Sequence, residues 1–183
     1  MQQPIMRKSS NRVTDDCLQR LLIATGGCNQ RLRYVLVANV DILVRYYQDC
    51  EFRCCIQSAE VVLTAGRFSG WLVRCLSGIR APVCSPESLL QRILTVMRST
   101  DRIVWIGDAN SLPREMQASN IRCLQLEAGA DALANVATCV SFVELQAPFR
   151  FCVLSMRSPQ RELIAHTLFR RARASGLILC VGN

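Results

Sequence analysis

Lysine is almost missing from this 183-residue sequence: all but one of its 22 basic residues are arginine, the exception being Lys8. No lysine ends a glycine-rich turn, and no Gly-x-Gly-x-x-Gly follows a predicted strand, so the common nucleotide fingerprints are excluded. Histidine occurs once, at His166, and the 11 cysteines include no Cys-x-x-Cys pair, which argues against a zinc centre and a disulfide framework alike. Aromatic residues make up 6% of the chain and are not interleaved with its scattered arginines, which is not the footprint of a nucleic-acid binder. No apolar run reaches the roughly 18 residues of a membrane span. The opening "MQQPIMRKSSNR" has no apolar block behind its basic residues, as a secretory signal requires. These absences leave a globular, cytoplasmic protein with no metal and no cofactor expected.

What is present is a half-apolar chain of net charge +8, long enough for one domain with a sizeable core. The cysteines read as small apolar residues filling that core in a reducing compartment. The positive balance favours anionic partners. Its densest stretch is "FRRARA", residues 169–174, where Arg170, Arg171 and Arg173 are expected on an exposed helix face. A solvated face is one reading of it. Peripheral contact with anionic lipid at the inner face of the plasma membrane is the other.

Short β-branched runs alternate with helical patterns along the chain. After a loose tail (1–11), Thr14 is placed to cap a helix that carries Asp15 and Asp16 in its first turn and ends at Gly26-Gly27. Strands are predicted over 33–38, 60–63, 102–107, 121–126, 149–155 and 177–182. Helices are expected from Val40, after Asp49, from Arg67 through Trp71, Leu72 and Leu76, from Ser85-Pro86-Glu87, over 111–118, through the alanine-rich stretch before Thr138, and from Ser158-Pro159. Ser85-Pro86-Glu87 combines a hydroxyl cap, a first-turn proline and an acid at the positive end of the helix dipole. The alternation predicts a Rossmann-like α/β domain over 12–183, with a mostly parallel sheet of about six strands and helices on both faces.

Ligands of such sheets sit at the carboxyl ends of the strands. There "VVLTAGRFSGW" (61–71) runs from strand to glycine-bearing loop to helix, yet between Leu63 and Trp71 its only ionisable side chain is Arg67. Gly66, Gly107 and Gly182 fall at strand ends, where backbone N–H groups can approach a phosphate at the next helix start. A tight turn is the plainer reading of each.

The stretch "VLVANVDILVRYYQDCEFRCCIQSAEVVLTAGRFSGWLVRCLSG" resembles the opening half of the WecG/TagA/CpsF glycosyltransferases, and the resemblance runs over residues 13–182. "ANVDILVRYYQDCEFR" is similar to the family's asparagine-bearing strand end and following helix, and "SAEVVLTAG" to its Ala-Asp-Leu-Val-x-x-Asp-Gly. "VWIGDA" is similar to its Leu-Leu-Gly-Gly strand and loop, and "SPQRELIAH" with "LILCVG" to its late Pro-Lys/Arg-Gln-Glu and Gly-Val-Gly signatures. The resemblance implies transfer of a hexosyl or N-acetylhexosaminyl group from a UDP-sugar to a polyprenyl-diphosphate-linked acceptor in envelope or exopolysaccharide synthesis. It also implies self-association. Carried over by position, it assigns donor binding to Asn39, Gly66, Arg67, Gly107, Asp108, Pro159, Arg161 and Glu162, with Arg157 a further positive charge nearby.

Where the family places the aspartate expected to deprotonate the acceptor hydroxyl, this chain has Ala65, which takes no proton. The family's threonine two residues before the asparagine is Val37. Its Arg-Val-x-Gly falls on Pro82 and Ser85, and its Lys/Arg-Gln pair reads Gln160-Arg161 behind Arg157. Substitutes for the base are sought in Asp41, Asp108 and Glu162, each of which also reads as a helix-capping or solvated carboxylate. Two functions follow from these residues: a glycosyltransferase with a replaced base, or a catalytically silent relative that binds the nucleotide sugar as a partner subunit.

Overall fold

Six short runs of β-branched, aromatic and other apolar residues form the strands β1 (Arg33–Ala38), β2 (Val61–Thr64), β3 (Arg102–Gly107), β4 (Arg122–Glu127), β5 (Phe151–Ser155) and β6 (Leu177–Val181). The structure, a computed structural model, describes residues 15–25, 31–77, 81–107, 112–114, 116, 122–127 and 132–181. The strands make one sheet in the order β2-β1-β6-β5-β3-β4, and every pairing is parallel. Continuous apolar runs suit strands covered on both faces. β1, β3, β5 and β6 are buried almost throughout.

Among the described residues seven helices lie between and before them: α1 (Asp15–Ala24), α2 (Val40–Gln48), α3 (Cys50–Gln57), α4 (Arg67–Ser77), α5 (Pro86–Val96), α6 (Ala132–Leu145) and α7 (Gln160–Arg171). One face of the sheet, with Tyr34, Leu36, Ile106, Leu154 and Ile178, packs against α2, α3, α6 and α7 through Ile42, Phe52, Val143 and Ile164. The other, with Val35, Leu63, Trp105, Val153 and Leu179, packs against α1 and α5 through Leu18, Leu22, Leu89 and Ile93, and against Met116. The division follows from chain direction. Crossovers that step toward the β2 edge use the first face and those that step toward the β4 edge use the second, as right-handed connections require.

Local sequence sets the helix starts. Asn39 accepts a hydrogen bond from Ile42 N at 3.1 Å, Asp49 accepts from Glu51 N and Phe52 N at 2.9 and 3.1 Å, and Ser85 Oγ accepts from Ser88 N at 3.2 Å. Each cap satisfies a donor that the first helical turn leaves free. α7 begins differently: Pro159 is its N-cap and supplies no side-chain hydrogen bond. β2 runs to Thr64 and β5 starts at Phe151, small shifts from the runs predicted at 60–63 and 149–155. Thr14, Gly26, Gly27 and Gly182 lie outside the described residues, as does most of the helix expected over 111–118.

The outer edge of β2 is shielded by residues 81–84. Thr64 N donates to Pro82 O (3.0 Å), Cys84 N donates to Thr64 O (2.9 Å), and Val83 bridges Thr64 in parallel. Such a cover removes an open strand edge. The cysteines at 50, 54, 55, 75, 84, 123, 139, 152 and 180 are free thiols. Burial raises Cys55 and Cys139 to about 11 and pushes Cys152 and Cys180 above their ordinary value, so these four remain protonated core residues at neutral pH.

At the amino end of the sheet the buried Arg150 ties three elements together. Its Nη1 donates to Val96 O (2.7 Å) and to Asp101 Oδ2 (2.6 Å), its Nη2 donates to Leu22 O (3.2 Å), and its guanidinium lies over the Phe151 ring. Leu22 and Val96 are in the last turns of α1 and α5, where carbonyls lack helical partners and a cation is favoured. Burial alone would raise the Asp101 carboxyl. The hydrogen bonds from Arg98 N and Arg150, together with the charge of Arg150, outweigh burial and hold it below its ordinary 3.8.

Two predictions follow from these contacts. Because Asp101 is more acidic folded than unfolded, the stability from its pair with Arg150 is complete above pH about 4 and drains away as pH falls through the lower folded value. Denaturant titrations should show that acid loss in the native chain and a smaller one in Asp101→Asn, while Arg150→Met costs about 3 kcal/mol at neutral pH. Gly176 has φ +142°, and a Cβ on it would lie 2.9 Å from Phe149 Cε2 and 3.0 Å from Phe149 O. Gly176→Ala should therefore cost about 1–3 kcal/mol, read as a fall of roughly 3–10 °C in Tm.

Candidate functional site

Parallel strands deliver all their exits to one edge of the sheet. At that edge Ala65 N donates to Ala38 O at 2.9 Å, which sets Asn39 and the Ala65-Gly66-Arg67 turn side by side at the tips of β1 and β2. The chain leaves β1 toward one face and β2 toward the other, so a crevice opens between them, the arrangement in which open α/β sheets bind ligands. A Cβ placed on Gly66 would meet nothing within 4 Å. Gly66 also has no side chain with which to cap α4, and Arg67, exposed, is the first residue of that helix. A cation at a helix N-terminus is unfavourable unless an anion lies nearby.

The second pair of diverging exits is at β5 and β3, where Gly107 and Ser155 are register partners. Gly107 is buried in its strand, so contact with a ligand there would run through the residues that follow it. Asp108, the first of these, lies outside the described residues. Between β2 and β3 the sheet has four strand spacings, roughly 19 Å at ordinary separation. A ligand that touched both crevices would lie extended across the strand tips.

After β5 comes the head of α7. Pro159 is half-buried, whereas Arg161 and Glu162 are 1% and 0% exposed. Glu162 Oε1 accepts from Arg161 Nε (2.9 Å) and Nη2 (2.7 Å). In this arrangement Glu162 is turned into the core and engaged by its neighbour, and Arg161 presents no charge to solvent. Ser158 Oγ, Gln160 Nε2 and Glu162 Oε2 are buried atoms with no hydrogen-bond partner among the described residues. Orphan polar atoms of this kind cost about 1–3 kcal/mol each, and here they gather within five residues at the head of one helix. Asp41 is exposed in the first turn of α2, where its charge meets the positive end of the helix dipole.

The model of the WecG/TagA/CpsF family of glycosyl transferases matches residues 6–183. The chain belongs to this family. No curated protein is similar enough to the chain to count as a relative. Within the WecG/TagA/CpsF frame the departures can now be placed. Ala65 is half-buried and packs against the core on the α5 side of the sheet, where Val37 is also buried. Pro82 offers its carbonyl to Thr64 N and Oγ1 beside the tip of β2, and Ser85 is spent as the α5 cap. The positions at which the resemblance implies an aspartate, a threonine and an arginine are thus adjoining points around one crevice. Their proximity in space was not visible from their spacing in the chain.

The arginines of "FRRARA" are at the other end of the molecule. Arg170 and Arg171 close α7 and Arg173 follows it on the way into β6, so all three stand at the amino ends of the strands. With Arg31, Leu32, Ala147, Pro148 and Phe169 they line an open groove of about 770 Å³. His166, one turn earlier, lies beside Tyr34 and Phe169. Burial, with help from Arg170, lowers its pKa, so it is neutral at pH 7. Among the described residues no cluster of histidine, cysteine and carboxylate could hold a metal ion.

Glu162→Ala removes a carboxylate that accepts two hydrogen bonds from buried Arg161. That variant should lose about 3–5 kcal/mol in a denaturant titration, an effect that an exposed carboxylate would not produce.

Proposed function

We propose that this WecG/TagA/CpsF glycosyltransferase family member binds a UDP-sugar along the carboxyl edge of its sheet, in bacterial envelope or exopolysaccharide synthesis. The sugar would be destined for a polyprenyl-diphosphate-linked acceptor. The observation that carries the reading is the tip of β2: an open space at Gly66, a helix start with no side-chain cap, and Arg67 exposed beside it. Together these offer free N–H groups and a guanidinium to a diphosphate. Asn39 stands on the neighbouring strand tip. Pro159 heads α7, which also begins without a side-chain cap, and Arg157 is exposed before it.

Transfer needs a group that takes the acceptor's proton as its oxygen attacks the anomeric carbon and the nucleoside diphosphate leaves. The methyl group of Ala65 does not do this. A second reading, a silent partner subunit that holds the nucleotide sugar without turnover, is favoured by that observation and by the loss of the arginine at Pro82. Of the carboxylates considered as substitutes, Glu162 is paired in the core and Asp41 lies at the start of α2, which leaves Asp108 as the candidate beyond Gly107.

Calorimetry with UDP-sugars tests the site. Binding should appear below millimolar ligand, and Arg67→Ala should weaken it by about tenfold, the value of one charge-assisted hydrogen bond. Absence of heat at millimolar ligand would remove both readings. With a lipid-linked acceptor, Ala65→Asp should raise turnover by about 100- to 10,000-fold, the usual contribution of a general base. A native rate that this variant does not improve would show that position 65 is not where the base is missing.

A further inference from the structure

Helix α4 is built with its small residues inward and its aromatic residues outward. Ser69 and Val73 are buried, and a Cβ on Gly70 would lie 3.2 Å from both Thr64 Oγ1 and Val83 Cγ2. Phe68 and Trp71, by contrast, are 64% and 57% exposed, and their rings stack at 5.8 Å between centroids. Exposed Cys75 continues the same stripe one turn on, exposed Arg67 and Arg74 flank it, and α4 contains no acidic residue. Single exposed apolar residues are ordinary on a protein surface. A stacked phenylalanine and tryptophan on a helix edged only by arginine is the composition of a helix that lies in a membrane interface, with its apolar side toward acyl chains and its cations at the headgroups.

The position of α4 agrees with that occupant. It begins at the tip of β2, one residue after Gly66, on the edge of the sheet where a lipid-linked acceptor has to arrive. The arginine groove at the opposite end lacks both properties. Its one large aromatic, Phe169, is engaged edge-on by Tyr34 at 5.6 Å, and Glu144 accepts from Arg173 N at 2.7 Å beside it. A bilayer under that groove would leave the crevice facing away from the lipid. We propose that α4, through Phe68 and Trp71 with Arg67 and Arg74, is the surface by which this protein rests on an anionic phospholipid membrane, and that Arg170, Arg171 and Arg173 are not. The orientation rests on the site proposed above; the affinity for lipid does not.

Trp71 provides its own reporter, because the other tryptophan, Trp105, is buried at 1% exposure. Adding phosphatidylglycerol-containing vesicles to the full chain should shift tryptophan emission to the blue and carry the protein with the vesicles on flotation. Phosphatidylcholine vesicles should do so far less, and added salt should weaken the effect. Phe68→Ser combined with Arg74→Gln should lower the partition coefficient by about tenfold or more while leaving Tm and UDP-sugar binding unchanged. Arg170→Gln with Arg171→Gln should leave partitioning as it was. The proposal is overturned by an emission that vesicles do not move, or by partitioning lost only in the Arg170/Arg171 variant. It is equally overturned by a shift that appears with protein concentration alone and tracks a dimer in sedimentation, since a second copy would then cover this face. Vesicle binding without UDP-sugar binding would remove the site and keep the membrane surface; the reverse would do the opposite.

Discussion

The structure depends on the geometry of parallel strands. Neighbouring parallel strands cannot be joined by a tight turn, so each connection crosses a face of the sheet, and the hand of that crossing fixes which face it uses. Both faces are therefore covered, the inner strands β1, β6, β5 and β3 are buried almost throughout, and all six deliver their exits to the same edge. That edge is where the ladder ends, where helices begin with unpaired N–H groups, and where side chains need not pack. The family's polar positions fall there because the architecture leaves few other places for a polar ligand to reach the backbone.

Helix starts show how the edge is divided between structure and ligand. α2, α3 and α5 satisfy their first turns with Asn39, Asp49 and Ser85. Gly66 and Pro159, ahead of α4 and α7, offer no such side chain. The capping rule kept at α2, α3 and α5 is thus not kept at α4 and α7, and departures from a local rule are where functional sites are looked for. The replaced positions have a different character. Val37 is buried, whereas Ala65 and Pro82 stay half-buried beside the crevice, Ala65 against the core and Pro82 as a backbone acceptor for Thr64.

Much of the architecture was legible in the sequence because it is written locally. The runs 33–38 and 102–107 are continuous, bounded and β-branched, and they are strands over those residues. Asp49 and the Ser85-Pro86-Glu87 start were legible for the same reason. Strand order was not, since β6 enters between β5, the strand before it, and β1, which lies at the other end of the sequence. Burial of charge was hidden as well. The partners of Arg150 are 49 to 128 residues away in sequence, and the adjacency of Arg161 and Glu162 does not reveal that both are buried. The outward stripe of α4 was not legible either: aromatic residues at a spacing of three normally mark a core-facing side, and here Gly70 approaches Val83 and Thr64 while Phe68 and Trp71 face outward. Asp108 and Gly182 were read as strand-end residues and lie outside the described residues.

The place of β6 has a consequence for how the molecule is made. It is the latest strand in the sequence, and among the described residues it alone joins the β2-β1 pair to the β5-β3-β4 trio within the sheet. Until residues 177–181 have emerged from the ribosome, the nascent chain holds two incomplete β-fragments with unpaired inner margins. Completion of the sheet thus waits for β6, and the interval before it is when chaperones have most to protect.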